Sequence, residues 1–156
     1  MISRKLRLLI FVVLIVISVA PYETAYTALI YVGNQNSNTI SVIDSTKRSV
    51  IDTIPISGLG PHNLAISKDW RFLYIANSGS NDLLIMDLST KRQMARMPTG
   101  AFTSDVALSP DGRYLYTVNS GSNDLAIIDS FTFTPVGFIQ VGLKPSEVIF
   151  SRDGRY

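Results

Sequence analysis

Cysteine is absent from the 156-residue chain, and histidine occurs once, as His62. Without cysteine there can be no disulfide bond, no zinc–thiolate site and no lipid anchor attached to a cysteine. A single histidine excludes a histidine-rich metal centre and leaves only His62 as the base of a nucleophile–histidine–acid triad. Residues suited to catalysis are therefore scarce in this sequence.

Clusters of basic residues are also missing from most of the chain. The formal net charge is +2, from 14 Lys and Arg against 12 Asp and Glu, but three of the basic residues are Arg4, Lys5 and Arg7. Without these three, 11 basic residues face 12 acidic ones, and no basic run after residue 20 is longer than two. Nucleic acid is therefore not an expected partner, because phosphate binding needs clustered Lys and Arg.

The N-terminus carries the longest uncharged segment. Residues 8–20 hold no charged side chain and follow the three basic residues, an arrangement typical of a secretory signal peptide. As a helix, these residues would span about 20 Å, less than the roughly 30 Å of a bilayer core. We interpret residues 1–28 as a signal peptide or an N-terminal membrane anchor. The protein is then exported to the periplasm, the cell surface or the medium, with membrane contact only through this segment.

The rest of the chain lacks the 3.6-residue apolar period of helices but repeats itself. Residues 77–83, Asn-Ser-Gly-Ser-Asn-Asp-Leu, recur letter for letter at 119–125, and residues 34–40 form a weaker copy. A period of about 40 to 45 residues with several short strands per unit is typical of propeller blades.

Each unit is expected to contain four strands. A Tyr-rich strand and an apolar strand flank each Asn/Ser/Gly loop, and an edge strand such as 50–55 follows. Inner strands are predicted at 64–67, 106–109 and 148–151. The apolar residues expected to pack between blades are Ile40, Val42, Leu64, Ile66, Leu83, Ile85, Val106, Leu108, Leu125, Ile127 and Val148. The predicted fold is all-β: a β-propeller of four-stranded antiparallel blades over residues 29–156, with about three blades and the last one cut, preceded by the N-terminal signal helix.

Several motifs carry a family resemblance. The segments Tyr-Val-Gly-Asn at 31–34, Tyr-Ile-Ala-Asn at 74–77 and Tyr-Thr-Val-Asn at 116–119, with the Ser-Pro-Asp-Gly-Arg-Tyr turn at 109–114, resemble the YVTN-family β-propeller repeat. The resemblance implies an exported microbial propeller of the surface-layer kind. Related propellers include lactonases and quinone- or haem-dependent oxidoreductases. The pattern departs from the family at Trp70, which replaces the turn glycine, and at 131–134, and we interpret both departures as local repacking.

Two sets of equivalent residues precede the inner strands. Asn63, Asp105 and Glu147 are expected near the channel mouth, where oxygen ligands from three blades could hold a divalent cation such as calcium; the alternative is that they only solvate the strand entrances. One residue earlier stand the channel-entry loop residues His62, Ser104 and Ser146. An ordinary loop hydrogen bond is expected for the histidine. Calcium is the only cofactor that the sequence suggests.

Two functions fit this pattern. Nearly identical repeated loops favour a noncatalytic scaffold that binds a protein or glycan at the cell surface. The alternative is a fragment of a propeller enzyme, a lactonase-like hydrolase or a quinone- or haem-dependent oxidoreductase, with catalytic residues in other blades. Because propellers typically close with four to eight blades, we expect a truncated propeller; in the alternative, two copies self-associate into a six-bladed ring.

Overall fold

A computed structural model describes residues 27–151, which contain strands and no helix. The predicted signal segment therefore lies outside the described residues, except for its last two positions. No helix in the described range is long and apolar enough to span a membrane. The eleven strands are β1 (Leu29–Asn34), β2 (Thr39–Asp44), β3 (Ser49–Pro55), β4 (Pro61–Ile66), β5 (Phe72–Asn77), β6 (Asp82–Asp87), β7 (Arg92–Pro98), β8 (Thr103–Leu108), β9 (Tyr114–Asn119), β10 (Asp124–Asp129) and β11 (Thr134–Gln140).

The strands form three antiparallel sheets, each of which is one propeller blade. The first blade has three strands in the order β1-β2-β3, and the second and third have four, in the orders β4-β5-β6-β7 and β8-β9-β10-β11. Each blade is a meander, because every strand pairs with its neighbours in sequence. The all-β propeller predicted from the 42-residue repeat is confirmed.

One predicted strand is absent. Residues 148–151 were expected to form a third inner strand, but the segment after β11 is not in a strand. The two inner strands that do form, β4 and β8, each pair with the strand that follows them. A strand is held by such ladder hydrogen bonds, and residues 27–151 offer 148–151 no ladder partner.

The second blade is buried on both faces. Every residue of β6 is buried, and its side chains alternate between two apolar clusters. Leu84 and Met86 pack against the first blade, whereas Leu83 and Ile85 pack against the third. The burial of Leu83 and Ile85 between blades is confirmed. Leu84 and Met86 were not predicted, because alternation alone assigns only one face of a strand to the core.

The outward face of the third blade is less buried than the corresponding face of the second. Met97 of β7 is 8% exposed, and Ile139, its equivalent in β11, is 45% exposed. The expected core residues Ile40, Val42 and Val106 are buried. Burial is only partial for a further group of expected core residues, namely Leu64, Ile66, Leu108, Leu125, Ile127 and Val148.

The repeated Asn/Ser/Gly hairpin loops of each blade contact the connection that leads to the next blade. Asn38, Asn81 and Asn123 each adopt a positive φ, of 54°, 60° and 61°. Their Oδ1 atoms accept hydrogen bonds of 2.7–2.8 Å from the backbone N–H groups of Gly60, Phe102 and Lys144, which lie in the connections to the following blade. The loops therefore tie the hairpin of one blade to the connection that leads into the next blade.

Candidate functional site

Two equivalent β-bulges lie at the starts of the inner strands. In the first, Pro61 pairs with Asn77 and Asn63 with Ala76, so His62 is left out of the register. In the second, Thr103 pairs with Asn119 and Asp105 with Val118, so Ser104 is left out. A bulge re-aims the side chain of its extra residue, and bulges are over-represented beside active sites. Sequence reasoning placed both residues at the strand entrance but gave no sign of the bulge.

The two bulged residues touch each other across the blade boundary. The imidazole Nδ1 of His62 lies 2.7 Å from the carbonyl oxygen of Ser104. Since a carbonyl can only accept, Nδ1 is the donor, and in the neutral imidazole the lone pair is then on Nε2. The His62 ring also makes an edge-on contact with Phe102, with ring centroids 6.1 Å apart. His62 itself is exposed, so Nε2 is accessible to a ligand.

The other channel-entry residues are placed differently. The side chain of Ser104 is buried, and its hydroxyl donates to the carbonyl oxygen of Val118 over 3.4 Å. Ser146, in the connection after β11, is exposed. Of the two exposed channel-entry residues, His62 is the one that offers a nitrogen donor atom.

The predicted cation ligands lie in unlike environments. Asp105 is 4% exposed, and its Oδ2 accepts a 2.7 Å hydrogen bond from the backbone N–H of Val148. Asn63 is half-buried and Glu147 is exposed. Within residues 27–151, no three His, Cys, Asp or Glu side chains are grouped to hold a metal. The predicted site takes the Asn63 amide oxygen as one of its ligands, and it stays a prediction.

Polar side chains at the same end of the second blade form a buried network. Asn77 Nδ2 donates to Asp82 Oδ1 over 2.8 Å, and Arg96 binds Asp82 Oδ2 through Nε and Nη2, at 2.8 and 2.6 Å. This paired carboxylate raises the pKa of Arg96. In the third blade Asp124 accepts from Asn119 over 2.7 Å, and the position of Arg96 is taken by Phe138. Only the second blade therefore holds a charged pair here.

Comparison with known families identifies the chain. The model of the cytochrome D1 heme domain family matches residues 26–156. The chain belongs to this family of β-propellers. No curated protein matches it.

Solved structures with the same fold include two enzymes. The chain is similar to the hydrazine synthase of Kuenenia stuttgartiensis, with 25% identity and a TM-score of 0.77 over 81% of this chain and 37% of that one. It is also similar to the dihydro-heme d1 dehydrogenase NirN in complex with DHE, with 21% identity and a TM-score of 0.61 over 81% of this chain and 25% of that one.

A third structure is a protein from Bacteroides uniformis named as a candidate 6-phosphogluconolactonase. Its identity to this chain is 21% and its TM-score 0.72, over 82% of this chain and 42% of that one. The chain thus spans less than half the length of each of these three structures. At 21% identity, the second and third likenesses establish the fold alone.

The comparisons alter the functional interpretation. They place the chain among enzyme-related propellers. This favours the second of the two functions considered from the sequence, a part of a propeller enzyme, over the noncatalytic scaffold. The propeller expected from the YVTN resemblance is confirmed as a fold, but membership of the YVTN family itself stays a prediction.

Proposed function

We propose that the chain is part of the propeller of a haem-binding redox enzyme and that His62 supplies a nitrogen ligand to the haem iron. The observation that carries the proposal is the 2.7 Å contact between His62 Nδ1 and the Ser104 carbonyl oxygen. The contact fixes the ring orientation and leaves Nε2 as the lone-pair atom on an exposed residue.

This arrangement suits a histidine that would hold a haem iron. Haem iron is commonly held by histidine, and a ligating histidine almost always donates its other ring N–H to a carbonyl or carboxylate. Ser104 provides such a carbonyl from the neighbouring blade, so that two blades together orient one imidazole. The family match to a haem domain supports the choice of cofactor.

Phe102 is the apolar neighbour that a macrocycle requires. It is 47% exposed and touches the His62 ring edge-on. A bound porphyrin would cover this ring and remove apolar surface from water. Haem would supply one-electron chemistry. In this proposal His62 would bind the iron, the Ser104 carbonyl would orient the imidazole, and Phe102 would cover part of the macrocycle.

Titration of the full chain with ferric haem tests this proposal by absorbance. We expect the Soret band to shift on binding, and the shift to be lost in His62→Ala. Ser104→Ala is the matched control, because it removes the hydroxyl but keeps the carbonyl that orients the imidazole. A shift that is the same in His62→Ala and in the unaltered chain would assign haem binding elsewhere and overturn the role of His62.

We also propose a calcium site and export of the protein. For calcium at Asn63, Asp105 and Glu147, millimolar calcium should raise the melting temperature, and Glu147→Ala should abolish that increase. An unchanged melting temperature rejects the site.

For export, the basic residues before 8–20 support a periplasmic, extracellular or cell-surface location. Cell fractionation that finds the protein only in the cytoplasm would contradict export.

A further inference from the structure

Opposite the loops that hold His62, the sheets end in five tight turns, which we call the turn end. These turns are residues 45–48, 67–71, 88–91, 109–113 and 130–133. Both departures from the repeat pattern noted in the sequence, Trp70 and Phe131, lie at this end. They are 74% and 76% exposed. Two large aromatic side chains therefore face water where the repeat predicts glycine and a polar residue.

Trp70 has a backbone conformation that glycine adopts more readily than other residues. Its N–H bonds to the carbonyl oxygen of Ser67 at 2.9 Å, as the equivalent Gly112 bonds to Ser109 at 2.8 Å. Both residues have positive φ, 60° for Trp70 and 80° for Gly112. For a bulky side chain this conformation is a strained outlier, and such outliers cluster at functional sites. Packing does not explain the tryptophan, because its side chain is mostly exposed.

A cavity between the second and third blades lies beside Phe131 and beside the turn that carries Trp70. Its volume is about 330 Å³, and Phe131 and both neighbours of Trp70 in sequence, Asp69 and Arg71, line it. Phe72 and Leu108 contribute apolar lining. Phe131 and the two residues that flank Trp70 therefore border the same cavity, although they are far apart in sequence.

Basic side chains are concentrated at the turn end. Residues 27–151 contain nine Lys and Arg, of which seven lie in or beside the five turns: Lys47, Arg48, Lys68, Arg71, Lys91, Arg92 and Arg113. Three of these seven form ion pairs, Lys47 with Asp44, Arg71 with Asp87 and Lys91 with Asp52. The remaining four have no ion-pair partner within residues 27–151.

The carboxylates at the turn end accept hydrogen bonds within their own turns; Asp44 and Asp87 are buried, whereas Asp69 and Asp111 are exposed. Asp44, Asp87 and Asp129 each accept hydrogen bonds from backbone N–H groups of their own turns. Asp69 and Asp111 accept from the hydroxyls of Ser67 and Ser109 and from the N–H groups of Arg71 and Arg113. The seven basic residues still outnumber these five carboxylates, so the turn end carries a net positive charge within residues 27–151.

We propose that the turn end docks on an anionic membrane surface, with Trp70 and Phe131 entering the headgroup region. Tryptophan is enriched at membrane–water interfaces, where its ring is apolar and its N–H stays hydrated. Basic side chains add attraction to anionic lipids that decays within a Debye length, about 10 Å at 0.1 M salt. This surface is at the opposite end from His62 and does not depend on the haem proposal.

Trp70 is the single tryptophan in the chain, so its fluorescence reports this site in the full protein even if the N-terminal segment also binds lipid. We expect vesicles of phosphatidylcholine with phosphatidylglycerol to shift the emission to the blue. Lipids brominated in the upper acyl chain should then quench it. Vesicles of phosphatidylcholine alone, or 1 M salt, should leave the emission at its position in buffer.

Two variants sharpen the test. Phe131→Ser should reduce the blue shift, whereas Leu143→Ser should not, because Leu143 is an equally solvent-facing apolar residue, 89% exposed, at the opposite end. An emission spectrum that anionic vesicles leave unchanged overturns the proposal. So does a spectrum that shifts with soluble polyglutamate but not with vesicles, which would assign the surface to an acidic protein instead.

Discussion

His62 Nδ1 lies 2.7 Å from the carbonyl oxygen of Ser104, and the two residues occupy the same bulge position in successive blades. The repeat therefore brings one copy of a position against the next copy. Of the two, only His62 carries a nitrogen donor. The candidate site is therefore not repeated from blade to blade, although the backbone around it is.

Gly100 is closely packed against a neighbouring side chain, whereas Gly142, its equivalent one repeat later, is not. A Cβ added at Gly100 would lie 2.6 Å from Cγ of Asn119, whereas a Cβ at Gly142 meets nothing within 4 Å. We expect Gly100→Ala to lower the free energy of unfolding by about 1–3 kcal/mol, the usual cost of overpacking. Gly142→Ala is the matched control and should stay within about 0.5 kcal/mol of the unaltered chain. Urea unfolding measures both, and equal losses would contradict the packing argument.

The contact between the second and third blades depends on Ile85, which is fully buried. Ile85→Ala should cost about 2–5 kcal/mol through lost transfer energy and the cavity that remains. Ile127, its half-buried equivalent in the third blade, should cost less when it is replaced by alanine. A urea midpoint that does not move in Ile85→Ala would refute the assigned core.

Trp70 is expected to reduce stability. Its φ of 60° lies in the left-handed region, which costs an L-residue roughly 1–2 kcal/mol. Trp70→Gly should therefore raise the free energy of unfolding by about 1 kcal/mol. The reverse change, Gly112→Ala at φ 80°, should lower it. Thermal melts of the two variants provide the comparison, and a destabilised Trp70→Gly would mean that the indole ring packs in solution.

The turn aspartates give the fold a dependence on acid. Hydrogen bonds from the Ser89 hydroxyl and the Thr90 N–H lower the pKa of Asp87 well below its ordinary value. A pKa that is lower in the folded state contributes stability above the unfolded pKa, about 3.9 for Asp. That stability is lost as the pH falls through the folded value.

Denaturant titrations between pH 5 and pH 2 measure this effect. The unaltered chain should lose stability steadily over that range, and Asp87→Asn should lose less because its side chain does not ionise. Glu147→Gln, a change at an exposed residue, should retain the full dependence. A slope in Asp87→Asn as steep as in the unaltered chain would assign the acid sensitivity to other groups.

Much of the fold follows from the amino-acid sequence. The exact repeat of 77–83 at 119–125, the alternating strands and the turn at 109–114 predict four-stranded blades, because hairpin chemistry and strand period are local properties. The repeat also predicted that His62 and Asn63 precede an inner strand, whereas both lie in the first half of β4. The strand predicted at 148–151 failed because a strand needs a partner that a local pattern does not reveal.

The sequence by itself determined the repeat, the class of fold and the scarcity of catalytic side chains, since composition and periodicity depend only on the order of residues. Tertiary structure alone decided the burial of both faces of β6, the contact of His62 with the Ser104 carbonyl and the convergence of Trp70 and Phe131 beside one cavity. Each of these depends on how neighbouring blades pack, and packing joins residues that are some 40 to 60 positions apart.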